Sequence, residues 1–191
     1  MMQLQDWHQI RLQDVPASPW KNGGGTTQAL VCWPHPSQWL FRMSVARIDN
    51  DGPFSEFKGV ERWFAVLNGA GVALTFPDKR MVLGALDPVI QFSGDTPCDC
   101  SLIDGPTLDF NLMVQGAKAH MNRINRTFFS QYMKAKTILA IFVVDEGGHF
   151  TLNQQRHELS KASLYWVTLE QNVQIEFSDM HVLLIQMECS L

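Results

Sequence analysis

An all-β chain, built as two stacked β-barrels or jelly rolls related by duplication, is predicted by three observations. Helical periodicity is scarce. Short apolar or alternating runs recur between Gly, Pro, Asn and Asp, at the spacing of an antiparallel β-protein. A faint internal repeat relates the two halves: Val66-Leu67-Asn68-Gly69-Ala70-Gly71-Val72 matches Val143-Val144-Asp145-Glu146-Gly147-Gly148-His149. Each copy reads as strand, tight turn, strand, a hairpin whose corner glycines permit positive φ. Asp87-Pro88-Val89-Ile90-Gln91-Phe92 and Ser163-Leu164-Tyr165-Trp166-Val167 then follow at similar distances, so the repeat spans the chain. Two copies suit stacked barrels and not a solenoid, which needs more.

In order, the strands expected are Thr26 to Cys32, Trp39 to Ile48, Glu61 to Asn68, Val72 to Phe76, Val89 to Phe92, Cys98 to Ile103 and Asp109 to Val114. A junction falls at Gly116 to Ala119. Beyond it come Lys118 to Asn125, Thr127 to Tyr132, Thr137 to Val144, His149 to Leu152, Ser163 to Thr168, Val173 to Phe177 and His181 to Met187. A short helical turn is expected only within Ser55 to Gly59. The early segment punctuates instead of building a ladder, because Pro16, Pro19 and Gly23 to Gly25 bracket Trp20, Lys21 and Asn22.

With 191 residues the chain can bury an adequate core without staples. Charged residues make up 18% and are dispersed, with a formal net charge of −4, which argues against disorder and against a phosphate-binding surface. Nucleic acid is therefore not an expected partner. Met1 to Asp6 has no basic start followed by an apolar run, and the longest apolar stretch, Ile138 to Val144, is too short to span a membrane. Cys32, Cys98, Cys100 and Cys189 form neither a disulfide framework nor a zinc pattern, and read as reduced thiols in the cytoplasm.

Trp20-Lys21-Asn22-Gly23-Gly24-Gly25-Thr26-Thr27 is the least random run. Three successive glycines are expected where φ must be positive or the main chain must approach another group. Their amides could receive an anion, with Lys21 and Asn22 adding donors of the kind a carboxylate needs; a bulge beside a surface lysine is the plainer reading. No Gly-Lys-Ser/Thr precedes a helix, so nucleotide binding is disfavoured. Arg62 opens an apolar strand and could point into a barrel mouth to take a carboxylate bidentately, or pair structurally with Glu61, Glu56 or Asp109. Period two sets Arg42 and Ser44 on one strand face, and Asp109, Asn111 and Met113 on another; either face could instead be solvated.

The six histidines include no His-X-His and no His-Glu-X-X-His, so no metal set, and hence no metal cofactor, is predicted. No Gly-X-Ser-X-Gly elbow occurs and no placed base activates a lone Ser or Cys, so no catalytic residue is assigned.

These runs resemble the HutD/Ves family. The resemblance lies in Trp20 to Thr27, in Phe41-Arg42-Met43-Ser44-Val45-Ala46, in Gly52-Pro53-Phe54-Ser55 with Gly59-Val60-Glu61-Arg62, and in Gly105-Pro106 with Asp109-Phe110-Asn111-Leu112-Met113. It implies a bicupin, with cupin-like halves at residues 1–116 and 117–191. It also implies a link to histidine utilisation through a bound pathway metabolite such as urocanate or a formyl- or formimino-glutamate. At the first cupin motif, where this chain has Phe57 to Arg62, it implies that the metal-binding histidines of other cupins are missing. Val114-Gln115 departs from the pattern, which carries a basic residue there in many relatives.

The expected function is a non-catalytic cytoplasmic sensor or buffer of a small anionic metabolite, bound through Arg62 with Lys21, Asn22, Arg42, Ser44 and Asn111. The alternative is a cupin-type isomerase, hydrolase or deiminase using Glu61 or Asp109 as base beside Arg62. A third reading is a homodimeric interaction module whose outer sheet is the working surface.

Overall fold

A computed structural model describes residues 7–188; Met1 to Asp6 and Cys189 lie outside the described residues. Seventeen strands and one 3-10 turn, Leu12–Asp14, are present among these, with no α-helix. Among the described residues no helix is long and apolar enough to cross a membrane.

The chain divides between Gly116 and Ala117, at the expected junction, but residues 1–14 group with 117–191 and not with the first half. The reason is a four-residue strand, β1 (His8–Arg11), which pairs antiparallel with Ser163–Trp166. Its sequence, His-Gln-Ile-Arg, carries no apolar alternation to announce it.

The unit Val15–Gly116 holds β2 (Ser18–Pro19), β3 (Gly25–His35), β4 (Gln38–Ile48), β5 (Gly52–Pro53), β6 (Val60–Asn68), β7 (Val72–Thr75), β8 (Arg80–Leu83), β9 (Ile90–Ser93), β10 (Asp99–Leu102) and β11 (Thr107–Gln115). They form a six-stranded sheet, β2-β3-β4-β11-β6-β9, and a four-stranded sheet, β5-β10-β7-β8. Ile48, Phe64 and Val66 of the first pack with Val72, Leu74, Leu83 and Cys100 of the second and with Cys98, just before β10. The reverse face of β4, β6 and β11, with Phe41, Met43, Val45, Trp63, Phe110 and Leu112, is also buried. These three strands are thus largely buried on both faces, one of which also carries the polar positions Arg42, Ser44, Arg62 and Asn111.

The unit formed with Ala117–Leu191 holds β12 (Lys118–Met133), β13 (Thr137–Val143), β14 (Gly148–Leu152), β15 (Gln155–Leu159), β16 (Ser163–Thr168) and β17 (Val173–Glu188). Sheet order is β1-β16-β13-β17-β14-β15, with β12 on the other side of β17. Two pairs of expected strands are in fact single strands, β12 and β17. Their ladder is interrupted opposite Asp179, where φ is +51°. There the inward face changes parity: Ile124 and Val182 enter the core on one side, Phe129 and Phe177 on the other.

The repeated turns are not hairpins. β6 and β7 belong to different sheets, and β13 does not pair with β14. Each turn hands the chain from one set of strands to another. Gly69 (φ +101°) and Gly71 (φ +109°) make the first corner, and a Cβ at Gly69 would lie 2.6 Å from the Pro106 carbonyl. The expected helical turn at Ser55 to Gly59 is an extended loop closed by a tight turn at Lys58 and Gly59, with Val60 N donating to the Phe57 carbonyl at 3.3 Å.

Within the triple glycine, Gly25 is the close-approach position: an added Cβ would sit 2.1 Å from the Arg47 carbonyl, in the β3–β4 ladder. Backbone cannot yield as a flexible side chain can. Gly25→Ala is expected to lower stability by at least roughly 1–3 kcal/mol, seen as a fall in urea midpoint. Gly23→Ala meets nothing within 4 Å and bears only its φ of +72°, so its loss should be nearer ~1 kcal/mol.

Candidate functional site

The polar face of the six-stranded sheet opens into a cavity of about 460 Å³ in the unit Val15–Gly116. Register builds it. Met113 of β11 lies opposite Arg42 of β4 on one side and Arg62 of β6 on the other; in the next row Asn111 lies between Ser44 and Phe64. Cross-strand neighbours share a face, and strands stand ~4.8 Å apart, so the two arginines rise from one floor roughly 10 Å apart at their Cα atoms. The β2–β3 segment adds Trp20, Lys21, Asn22 and Thr27, and the loop after β5 adds Phe54, Ser55 and Phe57.

Arg62 is 5% exposed. Nη2 donates to Asn111 Oδ1 at 3.2 Å and Nη1 to the Ser55 carbonyl at 3.3 Å, while the buried Nε has no partner. Its guanidinium carbon lies 4.9 Å from the Phe92 ring centroid, 5.2 Å from Phe54 and 5.7 Å from Phe57. Every partner is neutral. The structural ion pairs open to Arg62 on sequence grounds are not made: Glu61 lies on the other face of β6, accepting from Gln91 at 3.2 Å. Burial pushes the Arg62 guanidinium down to about 10; Cys98 partly offsets this and Arg42 adds repulsion. It stays charged at neutral pH.

Arg42 is half-buried and its buried Nε also lacks a partner. Lys21 and Asn22 are exposed at the rim, and Ser44 and Asn111 are buried in the floor. All six residues singled out for ligand contact thus line one cavity, whose lining holds three cations and no Asp, Glu or His.

The glycine amides do not form an anion nest. Gly23 N donates to the Trp20 carbonyl at 3.0 Å and Gly24 N to Asn22 Oδ1 at 3.1 Å. Asn22 Oδ1 is thus already engaged once, and its amide nitrogen is the donor it can present to an anion. What the segment delivers is the Trp20 wall, fixed by an indole hydrogen bond of 2.7 Å to Thr27 Oγ1.

Asp109 is fully buried and outside the lining. Thr107 Oγ1 donates to its Oδ2 at 2.7 Å, and Oδ1 has no partner. Burial pushes its carboxyl up to about 7 against the lowering effect of that hydrogen bond. Burial likewise pushes the Cys98 and Cys100 thiols up to about 11 and about 12, leaving both unreactive. Among the described residues no group of three or more His, Cys, Asp or Glu is placed to hold a metal ion.

Sequence reasoning missed the aromatic clamp of Phe54, Phe57 and Phe92. The first two stand in the Gly52 to Arg62 motif already singled out; an Arg among so many aromatics was the available signal. At the position of Arg62 the internal repeat places Leu139, which packs into an apolar interior with Phe150, Leu152, Val167 and Phe177.

The family model of HutD matches residues 12–185. The chain belongs to the HutD family. It is 31% identical over 160 residues to an uncharacterized 21.2 kDa protein of the hutC 3′ region of Pseudomonas putida, covering 82% of each. With protein Ves of Escherichia fergusonii it shares 32% over 122 residues, 61% of this chain and 63% of Ves. Among solved structures, a conserved protein of unknown function from Pseudomonas aeruginosa PAO1 superposes with a TM-score of 0.86 at 25% identity, over 96% of this chain and 99% of that one. HutD from Pseudomonas fluorescens SBW25 superposes with a TM-score of 0.80 at 26% identity, over 95% and 97%. Salicylate 1,2-dioxygenase from Pseudoaminobacter salicylatoxidans, at 8% identity and a TM-score of 0.62 over 95% and 82%, shares the fold alone. That fold is the all-β cupin fold, here in two copies.

Proposed function

We propose that this HutD-family protein is a non-catalytic binder of a small anionic metabolite, acting in the cytoplasm as a sensor or buffer in histidine utilisation. The observation that carries the reading is the state of Arg62: a buried cation with neutral partners only, an unpartnered Nε, and a second guanidinium two strands away. A desolvated charge without a counter-ion is costly, and a ligand carboxylate supplies that counter-ion. A cavity of about 460 Å³ lies within the range of small-molecule sites. The names HutD and hutC 3′ region among its relatives support a histidine-degradation carboxylate, urocanate or a formyl- or formimino-glutamate.

The enzymatic alternative lacks its base: Glu61 faces away from the cavity and Asp109 does not line it. Because no carboxylate lines the site, ligands that carry a cationic group are disfavoured. In a thermal-shift screen, urocanate or formylglutamate should raise the melting temperature, ahead of formiminoglutamate, glutamate and histidine, since a ligand of the native state stabilises it by RT ln(1 + L/Kd), with L the free ligand concentration. If none of these acids shifts the transition at millimolar concentration, or if product accumulates on incubation, the reading fails.

A further inference from the structure

On the anion-binding reading above, we infer that Asn111 sets the charge preference of the cavity: it aligns Arg62 through a neutral hydrogen bond and leaves the guanidinium charge for an acid. A guanidinium only donates, so the Asn111 amide must turn its oxygen to Arg62 Nη2, 3.2 Å away. Both partners are buried, at 6% and 5% exposure. The amide nitrogen is thereby the atom that Asn111 can offer to a ligand oxygen.

A carboxylate of the same shape at position 111 would form a charge-assisted pair with Arg62 and take up the charge that a ligand acid needs. The other hydrogen-bond acceptor of Arg62 is the backbone carbonyl of Ser55, whose charge no side-chain substitution alters. The rings of Phe54, Phe57 and Phe92 around the guanidinium are neutral as well. Position 111 is therefore where a side chain decides whether Arg62 is neutralised from within or by a ligand.

The strand that carries Asn111 does hold an acid, and keeps it out of the cavity. Period two puts Asp109, Asn111 and Met113 on one face of β11. Asn111 and Met113 line the cavity, and in the ladder Met113 stands between Arg42 and Arg62. Asp109, one step along the same face, is outside the lining, and Thr107 Oγ1 donates to its Oδ2 at 2.7 Å. Exchanging amide and acid between positions 109 and 111 would barely alter volume, yet it would give Arg62 an internal counter-ion. Asn111 is thus a positioning and selectivity residue for the bound acid.

The test is calorimetric titration of the parent, Asn111→Asp and Asn111→Ser with formylglutamate and urocanate at neutral pH, alongside urea unfolding of the ligand-free proteins. Asn111→Asp should bind the acid that the parent binds at least about a hundredfold more weakly, because Arg62 is already paired and a like charge faces the ligand. Asn111→Ser, which stays neutral, should lose no more than about tenfold. Ligand-free Asn111→Asp should unfold at a urea midpoint no lower than the parent's, whereas adding it to Arg62→Met should lower the midpoint below that of Arg62→Met alone. Lost packing would not produce that reversal. A parent that binds acid while Asn111→Asp binds it equally well overturns this inference alone. So does an Asn111→Ser loss as large as that of Asn111→Asp, or an Asn111→Asp protein less stable than the parent. A parent that binds neither acid overturns the anion-binding reading itself, and the selectivity with it.

Discussion

Arg62→Met is expected to abolish the ligand-induced rise in melting temperature while leaving the ligand-free protein folded. Two sets of terms bear on the empty fold. Relief of desolvation favours the variant: the fall of the guanidinium from 12.5 to about 10 corresponds to roughly 3 kcal/mol at neutral pH. Against it stand the contacts with Phe54, Phe57 and Phe92, at ~0.5–1 kcal/mol each. Asn111 Oδ1, left without its donor, costs a further ~1–3 kcal/mol. The opposing contacts total ~2.5–6 kcal/mol, so the net runs from near zero to about 3 kcal/mol of destabilisation, a fall in melting temperature of up to about 12 °C for a chain of this size.

Binding has no such compensation. Removing one member of a buried, hydrogen-bonded charge pair costs ~2–5 kcal/mol, or roughly thirtyfold to several-thousandfold in dissociation constant. Calorimetric titration of parent and variant with formylglutamate or urocanate gives the comparison. Equal affinity would remove Arg62 from the site, and an unfolded variant would show that its contacts dominate stability instead.

How much of this site was legible beforehand depends on which force placed each residue. Arg42, Ser44 and Asn111 were readable because period-two alternation alone decides which side of a strand they share. Arg62 was readable as an arginine at the head of an apolar strand, but its company was not. Whether it met Glu61, Glu56 or Asp109 depended on register and on the course of the loop after β5, and neither leaves a mark in local sequence. The glycine run was misread in one respect: Gly23 and Gly24 amides are taken by Trp20 and Asn22, a local hydrogen-bond competition that Asx side chains commonly win. β8 and β15 were missed because edge strands such as Arg-Met-Val-Leu and Gln-Arg-His-Glu-Leu lack a full apolar face. β1 was missed because its pairing partner lies more than 150 residues away, beyond any local pattern.

The repeat proved more informative about chemistry than about turns. Its two copies share a corner and a strand role, yet Arg62 corresponds to Leu139, so one core holds an unneutralised cation and the other is filled with hydrocarbon. A stability cost retained in one copy and removed from the other is what a binding function in the first unit would require.

Asp109→Asn should remove most of the pH dependence of stability between pH 4 and 7. Asp109 has its folded value raised to about 7 from 3.8, chiefly by burial. Between those two values the folded protein keeps a proton that the unfolded chain releases, so stability falls as pH rises from about 4 to 7 and then levels off. The whole interval corresponds to an upper bound of roughly 4 kcal/mol. Asparagine keeps the shape, can still accept from Thr107 Oγ1 and never ionises. Urea unfolding at pH 4.5 should therefore find parent and variant nearly equal, and at pH 8 should find the variant more stable by a few kcal/mol. A difference of the same size at both pH values would show that packing, and not ionisation, distinguishes them. The sign also bears on the cavity: Asp109 lies opposite Ala46, a lining residue, and two positions from Asn111. Ionised, it would repel a carboxylate held by Arg62, so parent affinity for an acid should weaken above about pH 7 while that of Asp109→Asn stays level.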